Sequence, residues 1–269
     1  MKIKLNIFLI GLLSLNISVG CAQTKETNIK EAVLDLPDDA PIYDPSKVVY
    51  FNEVLIYKYA SPGEEGEFWV YLNTETGNLL FDPNDEMVDF VIADPYGTYY
   101  IFGENGHDEK VVTSQTVYGV TDKLEYDYPY DFPKTDQFFE FTKLSENRII
   151  DRSYNFQPDI ESAGYKMVYK KMTGQQNIFF TESIPVNAYL LYGFTRLGEE
   201  LRIPIDDLFF VGVLSKNQLV THIERDNLIL KLENYGPNSY HAPASDYTYY
   251  VQKENGDWEK QDLPLLKSK

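Results

Sequence analysis

The chain has 269 residues, 43% of them hydrophobic and 15% aromatic (22 Tyr, 16 Phe, 2 Trp), a composition that excludes the disordered class and calls for a packed core. Its 42 acidic residues against 24 basic ones give a formal net charge of −18. That field has the wrong sign for a nucleic-acid partner, or for anionic lipids bound through the folded body.

The chain opens with a basic pair, Lys2 and Lys4, followed by an apolar stretch from Ile7 to Leu15. That stretch is far short of the roughly 20 residues a spanning helix needs, so it reads as a signal segment. Ser18, Val19 and Gly20 then lead into Cys21, the one cysteine of the chain. This run resembles the lipobox of bacterial lipoproteins, in which cleavage before the cysteine frees its thiol for a diacylglycerol. Ser18 departs from the pattern, which usually has Leu there. The competing reading is an ordinary secretory signal cut after Ala22. The resemblance covers residues 1–21 and implies that residues 1–20 are removed, that Cys21 is lipidated, and that the folded body has no thiol for a disulfide, a nucleophile or a metal. Cys21-Ala22-Gln23, with the Tyr-, Asn- and Lys-rich usage, resembles lipoproteins of Bacteroidetes-type bacteria. Gln23-Thr24-Lys25-Glu26 is not the acidic run of their surface-exposed members, so the resemblance implies an outer-membrane lipoprotein on the periplasmic face.

Residues 21–46 read as a lipidated cysteine and a polar tether carrying Pro37, Pro41 and Pro45. From Lys47 the text is that of strands, rich in Val, Ile, Tyr and Phe. Strands are predicted at 48–59, 67–73, 78–81, 88–93, 98–102 and 110–118. Thr74-Glu75-Thr76-Gly77 reads as a hairpin loop, and Asn105-Gly106 as a tight hairpin turn with φ > 0 at both central positions. After a Tyr/Asp/Pro-rich crossover at 122–135, further strands are predicted near 137–143, 165–170, 176–182, 187–194, 200–204, 208–213, 218–223, 227–233, 247–252 and 257–260. Tyr165, Val168, Tyr169 and Met172 also fit helical spacing, and Asp206-Asp207 could cap a short helix. The expected fold is all-β: about fifteen short, mainly antiparallel strands in two packed lobes (47–121 and 136–269), as a sandwich, barrel or propeller, with at most one or two short helices.

Thr98-Tyr99-Tyr100-Ile101, Glu104-Asn105-Gly106 and Glu109-Lys110 recur at a constant offset as Thr248-Tyr249-Tyr250-Val251, Glu254-Asn255-Gly256 and Glu259-Lys260. Two readings stay open: a duplicated β unit, or two hairpins that independently chose strand-favouring residues.

Signatures of chemistry are few. There is no G-x-S-x-G elbow, no H-E-x-x-H and no phosphate loop, and no cofactor is expected. Of the three histidines, His222 shares a strand face with Glu224, and His241 lies in a Pro/Asn/Ser loop. These three form the one metal-site candidate, against solvated or hydrogen-bonded histidines as the simpler reading. Asp82-Pro83-Asn84-Asp85-Glu86 has oxygens at alternate positions but not the EF-hand pattern, and reads first as an acidic turn. The most unusual segment is Tyr126-Asp127-Tyr128-Pro129-Tyr130-Asp131-Phe132-Pro133. Flat, rigid rings interleaved with carboxylates suit a ligand-binding loop, so Tyr126, Asp127, Tyr128, Tyr130 and Asp131 are the candidate ligand-binding residues. The alternative is a rigid crossover whose rings fold back on the core.

These features lead to an expectation of a non-catalytic binding protein, held to the membrane through Cys21, with a glycan or a basic protein as partner. An envelope hydrolase using carboxylates or a metal, and a structural outer-membrane subunit, are the alternatives.

Overall fold

The computed structural model describes residues 44–83, 85–117, 139–152, 157–170, 174–194, 197 and 214–266. The chain enters through a turn in which the Asp44 carboxylate accepts from the Ser46 amide at 3.0 Å. It then runs through thirteen strands: β1 (Val49–Ser61), β2 (Glu64–Leu72), β3 (Leu79–Phe81), β4 (Val88–Ala93), β5 (Thr98–Glu104), β6 (Lys110–Thr116), β7 (Phe139–Ile150), β8 (Ile160–Tyr169), β9 (Gln175–Thr181), β10 (Leu219–Arg225), β11 (Leu228–Ala242), β12 (Thr248–Gln252) and β13 (Trp258–Gln261), with one helix, α1 (Ala188–Gly193), between β9 and β10. The expected all-β class, with few helices, is what the structure has. Among the described residues no helix is long and apolar enough to cross a membrane.

The strands join into one sheet in the order β13-β12-β6-β5-β4-β3-β2-β1-β11-β10-β9-β8-β7. Every pairing is antiparallel except the short parallel seam of β12 on β6, Thr248 opposite Val111 and Tyr249 opposite Val112. The first six strands are therefore stitched to the second half of the chain twice. One stitch is that seam; the other is the long β1–β11 ladder from Val49–Ala242 to Ala60–Ile229. Two shifts of register along this ladder, between Phe51 and Glu53 and between Ile56 and Tyr57, are bulges of the kind that bend a strand and sharpen its twist.

Alternation along the strands feeds two hydrophobic clusters. Leu55, Tyr57, Val70, Leu72, Val91 and Tyr99 point into the larger one, shared with β8–β11 and α1. Val54, Tyr71, Leu80, Ile92, Tyr100 and Phe102 point to the opposite face and the smaller one, covered by Ala244, Tyr247 and Leu263. Buried phenols staple the larger cluster. The hydroxyls of Tyr57, Tyr99 and Tyr192 donate to the carbonyls of Val220, Leu190 and Gln218 at 2.6–2.7 Å, because a buried hydroxyl must find an acceptor. Where β7 ends, Arg152 Nε donates to the Tyr235 carbonyl at 2.9 Å, and its guanidinium packs 4.6 Å from that ring.

Two local expectations are corrected. The run 187–194, read as a strand, is α1: the Asn187 side chain accepts from the Tyr189 amide as an N-cap, and Ala188, Leu190, Leu191, Tyr192 and Gly193 are all buried. A helix buried all round shows no polar stripe, which leaves its sequence indistinguishable from a core strand. The turn at Asn105-Gly106 has positive φ at Asp108 (58°) and not at Asn105 or Gly106. It is a longer loop, closed by Asn105 N–H to the Glu109 carbonyl and by Asp108 N–H to the Asn105 carbonyl. The loop between β12 and β13 is built alike, but Lys253 donates to the Asp257 carbonyl and Gly256 carries the positive φ. The structural equivalents, Asn105 with Lys253 and Asp108 with Gly256, are two residues out of step with the repeated sequence. Of the expected strand 165–170, residues 165–169 belong to β8, which starts earlier, at Ile160, and ends at Tyr169. The expected strands at 200–204 and 208–213, the Asp206-Asp207 cap, and residues 1–43 lie outside the described residues.

Candidate functional site: an aromatic platform edged with carboxylates

The smaller cluster does not end in an apolar surface. Its outer layer is made of rings whose edges meet carboxylates, and strand geometry explains how they come together. Leu80 of β3 belongs to this face, so Asp82, two residues on, shares it. Tyr71 of β2 is registered opposite Leu80, and Trp69 precedes it by two on the same face. Tyr240 of β11 is registered with Phe51 and stacks on Tyr71, centroids 4.5 Å apart and planes 20° off parallel. Trp69 lies 6.3 Å from Tyr71 and donates its indole N–H to Glu67 at 3.1 Å.

A bulge supplies the second carboxylate. Val88 is registered with Gly103 and Phe90 with Phe102, so Asp89 is the extra residue of β4 and is re-aimed by the bulge. The bulge needs a glycine opposite it, since a Cβ on Gly103 would lie 2.0 Å from the Met87 carbonyl oxygen. Asp89 Oδ2 accepts a 2.7 Å hydrogen bond from the hydroxyl of Tyr247. Tyr247 is wedged edge-on against Phe90 and Phe102, centroids 5.6 and 5.2 Å away, while those two rings stack on each other at 4.4 Å. Lys110 holds its ammonium 5.2 Å from the Tyr247 centroid, a cation–π distance.

The electrostatics of these groups are coupled. Burial raises the Tyr71 hydroxyl well above its usual range, with Tyr240 and Asp82 adding to it. Tyr240 is raised by burial and then by Asp82 and Asp89. Tyr247 is raised by burial, by its bond to Asp89 and by the charges of Asp89 and Asp246. The phenols therefore stay protonated, in a field that favours positive charge at their rim.

The sequence candidates fall as follows. Tyr126, Asp127, Tyr128, Tyr130 and Asp131 lie outside the described residues, as does Cys21. Of the acidic turn, Asp82 borders the platform and Asp85 accepts from the Met87 amide at 2.7 Å, a local turn bond. His222, Glu224 and His241 are not brought together. His222 is registered with Lys231 on β11, and His241 lies about ten residues further along that strand, roughly 30 Å away. His222 and Glu224 do share a face, and Arg148 influences both. The Glu224 carboxylate accepts from Arg148 Nε at 3.2 Å and pairs with its Nη2. The same guanidinium packs 4.8 Å from the ring of Phe179, which His222 meets edge-on at 5.8 Å. His222 is buried and held down to about pKa 4 by desolvation, then by Lys231 and Arg148, which makes it a neutral packing residue. His241 instead stands 5.0 Å from Tyr50. Among the described residues no group of three or more His, Cys, Asp or Glu could hold a metal ion.

Sequence reasoning missed Tyr240, Tyr247 and Asp89 as site residues. The available signal was weak: Asp89 interrupts the apolar run Val88–Ala93 at the one point where a bulge forms.

No family model matches the chain, and no curated protein matches its sequence. Among solved structures it is similar to the one described as "Structure of PNGF-II in C2 space group", with 11% identity and a TM-score of 0.40, over 76% of this chain and 31% of that one. The chain spans about a third of the length of that protein.

Proposed function

We propose that this is a non-catalytic binding protein of the bacterial envelope, anchored through a lipid on Cys21, that engages its partner with the aromatic platform of Trp69, Tyr71, Tyr240 and Tyr247. The observation that carries the reading is the combination at one place of packed rings, of which Trp69 and Tyr240 keep accessible surface, and carboxylates that hydrogen-bond or polarise them. Rigid aromatics give contact area at low entropic cost, and fixed carboxylates give orientation. The Cys21 anchor is supported by the lipobox-like run Ser18-Val19-Gly20-Cys21, and the acidity of the chain favours partners of opposite charge.

Two measurements test this. Wild-type protein expressed with its signal should partition with outer membranes, and the Cys21→Ala protein should leave the membrane fraction; equal partitioning of both would remove the anchor from the proposal. Purified protein immobilised without its signal should retain a component of native envelope extracts, and Tyr240→Ala with Trp69→Ala should lose it. Retention unchanged by that double variant would remove the platform.

A further inference from the structure

We propose that the ligand of the platform is a cationic segment of a protein, presenting lysine or arginine side chains, and that Lys110 is a built-in competitor for that position. The inference rests on the platform being the binding site and adds the chemistry of what it takes.

Three observations point the same way. The carboxylates are distributed so that each ring of the platform has one near it: Glu67 at Trp69, Asp82 toward Tyr71 and Tyr240, and Asp89 at Tyr247. A ring face is negative by its quadrupole, and a carboxylate at the ring's edge deepens that potential, so a cation gains from both at once. A neutral sugar would also stack on the rings, but it would leave the carboxylate charge around them unneutralised. The second observation is Lys110. Its exposed side chain places an ammonium 5.2 Å from the Tyr247 centroid, so this face accepts a cation with the protein's own lysine as the example. The third is balance: the charged groups that act on these rings are the carboxylates of Glu67, Asp82, Asp89 and Asp246 and the ammonium of Lys110, an excess of negative charge for a partner to neutralise.

Lys110 gives the proposal an unusual sign. Removing it deletes a positive charge and uncovers a ring face, so a cationic ligand should bind better without it. A ligand that uses Lys110 as a hydrogen-bond donor should bind worse.

The test uses the folded protein and three fluorescent probes: an oligo-arginine peptide of about eight residues, a glutamine peptide of equal length, and a neutral oligosaccharide. Anisotropy titrations should show oligo-arginine binding that weakens about tenfold between roughly 50 and 300 mM salt, and none for the glutamine peptide. Asp82→Asn with Asp89→Asn, which keeps the acceptor oxygens, should weaken it about fivefold or more; Lys110→Gln should strengthen it about threefold. The control is Glu75→Gln with Glu140→Gln, two exposed carboxylates outside the platform, which should leave it unchanged. Thermal melts of each variant establish that the fold is intact. If the control pair weakens binding as much as the platform pair, the peptide reads only net charge and the proposal falls. It falls equally if Lys110→Gln weakens binding. If the oligosaccharide binds, Tyr240→Ala abolishes that binding and the peptide does not bind, the cationic assignment is overturned while the platform stands as a binding site. If neither probe binds and Tyr240→Ala leaves envelope retention unchanged, the binding function itself is overturned.

Discussion

Two regions on one side of the same sheet are built from the same materials and end in opposite states. On β7–β11, Arg148 lies over Phe179, pairs with Glu224 and stands near His222, while Lys231 pairs with Glu233 at 2.8 Å. Cations and carboxylates there are matched, and Phe179 is fully buried. On β2–β6 and the end of β11, rings and carboxylates meet again, but the acids that act on the rings outnumber Lys110, and Trp69 and Tyr240 keep accessible surface. The first region has satisfied its own charges and reads as structure. The second has carboxylates in excess, and the proposed binding role rests on that imbalance.

The comparison can be broken most severely at its glycines. Each region relies on one: Gly103 beneath the Met87 carbonyl, and Gly164, where a Cβ would lie 2.6 Å from the Phe179 ring and 2.9 Å from the Glu146 carbonyl. Gly103→Ala meets backbone alone and should cost about 3 kcal/mol or more in denaturant unfolding, and should carry Asp89 away from Tyr247. Gly164→Ala should cost less, because its backbone clash, 2.9 Å to the Glu146 carbonyl, is milder than 2.0 Å to that of Met87. Equal costs would mean that the bulge at Asp89 has no special demand for glycine.

Acid should separate the regions next. His222 has a folded pKa near 4, below its ordinary 6.5. As pH falls through that interval the unfolded chain takes up a proton that the folded chain refuses, so its contribution to stability is present above pH 6.5 and is lost toward pH 4. The loss is at most about 3 kcal/mol. His222→Gln should flatten that part of the stability profile; an unchanged acid limb would show that other groups carry it. Smaller still, Tyr247→Phe deletes one charge-assisted hydrogen bond and should cost about 1 to 2 kcal/mol, readable as a lower unfolding midpoint with an unchanged slope. Smallest is Glu224→Gln. Arg148 and Glu224 are both about a third exposed, so the loss should stay below about 1 kcal/mol. A larger one would mean that the matched region is held together by its charges more than by Phe179.

The strands themselves were legible, since Val88–Ala93 and Lys110–Thr116 announce themselves by composition and by their turns. Their order in the sheet was not, because β1 with β11 and β6 with β12 pair residues more than a hundred positions apart, and nothing local encodes a partner. α1 was missed because a helix buried all round carries no period. The candidate site was partly visible: Asp82 was seen as part of an acidic turn, while the interleaved tyrosines and aspartates singled out at 126–133 lie outside the described residues. The platform assembles the same chemistry from four strands and a turn. Its central hydrogen bond, Tyr247 to Asp89, joins residues 158 positions apart and depends on a bulge that a one-dimensional pattern does not encode.

The parallel seam has a kinetic consequence. The hairpin of β12 and β13 is held to the rest of the sheet by two registered residue pairs, aided by the Ser114–Tyr249 hydroxyl bond. All four residues of β13 are exposed. A ladder that short, closing a loop of more than a hundred residues, repays the entropy of closure late, and it is among the first places where a folded chain opens locally. Tyr247 sits immediately before β12, so opening of this hairpin should loosen its bond to Asp89. Amide hydrogens of 248–261 should therefore exchange faster than those of β4 and β5, and a partner seated against Tyr247 should slow them. The half of the platform that carries the Tyr247–Asp89 bond should then open more often than the half on β2 and β11, and a partner of the proposed kind should lengthen the life of this hairpin.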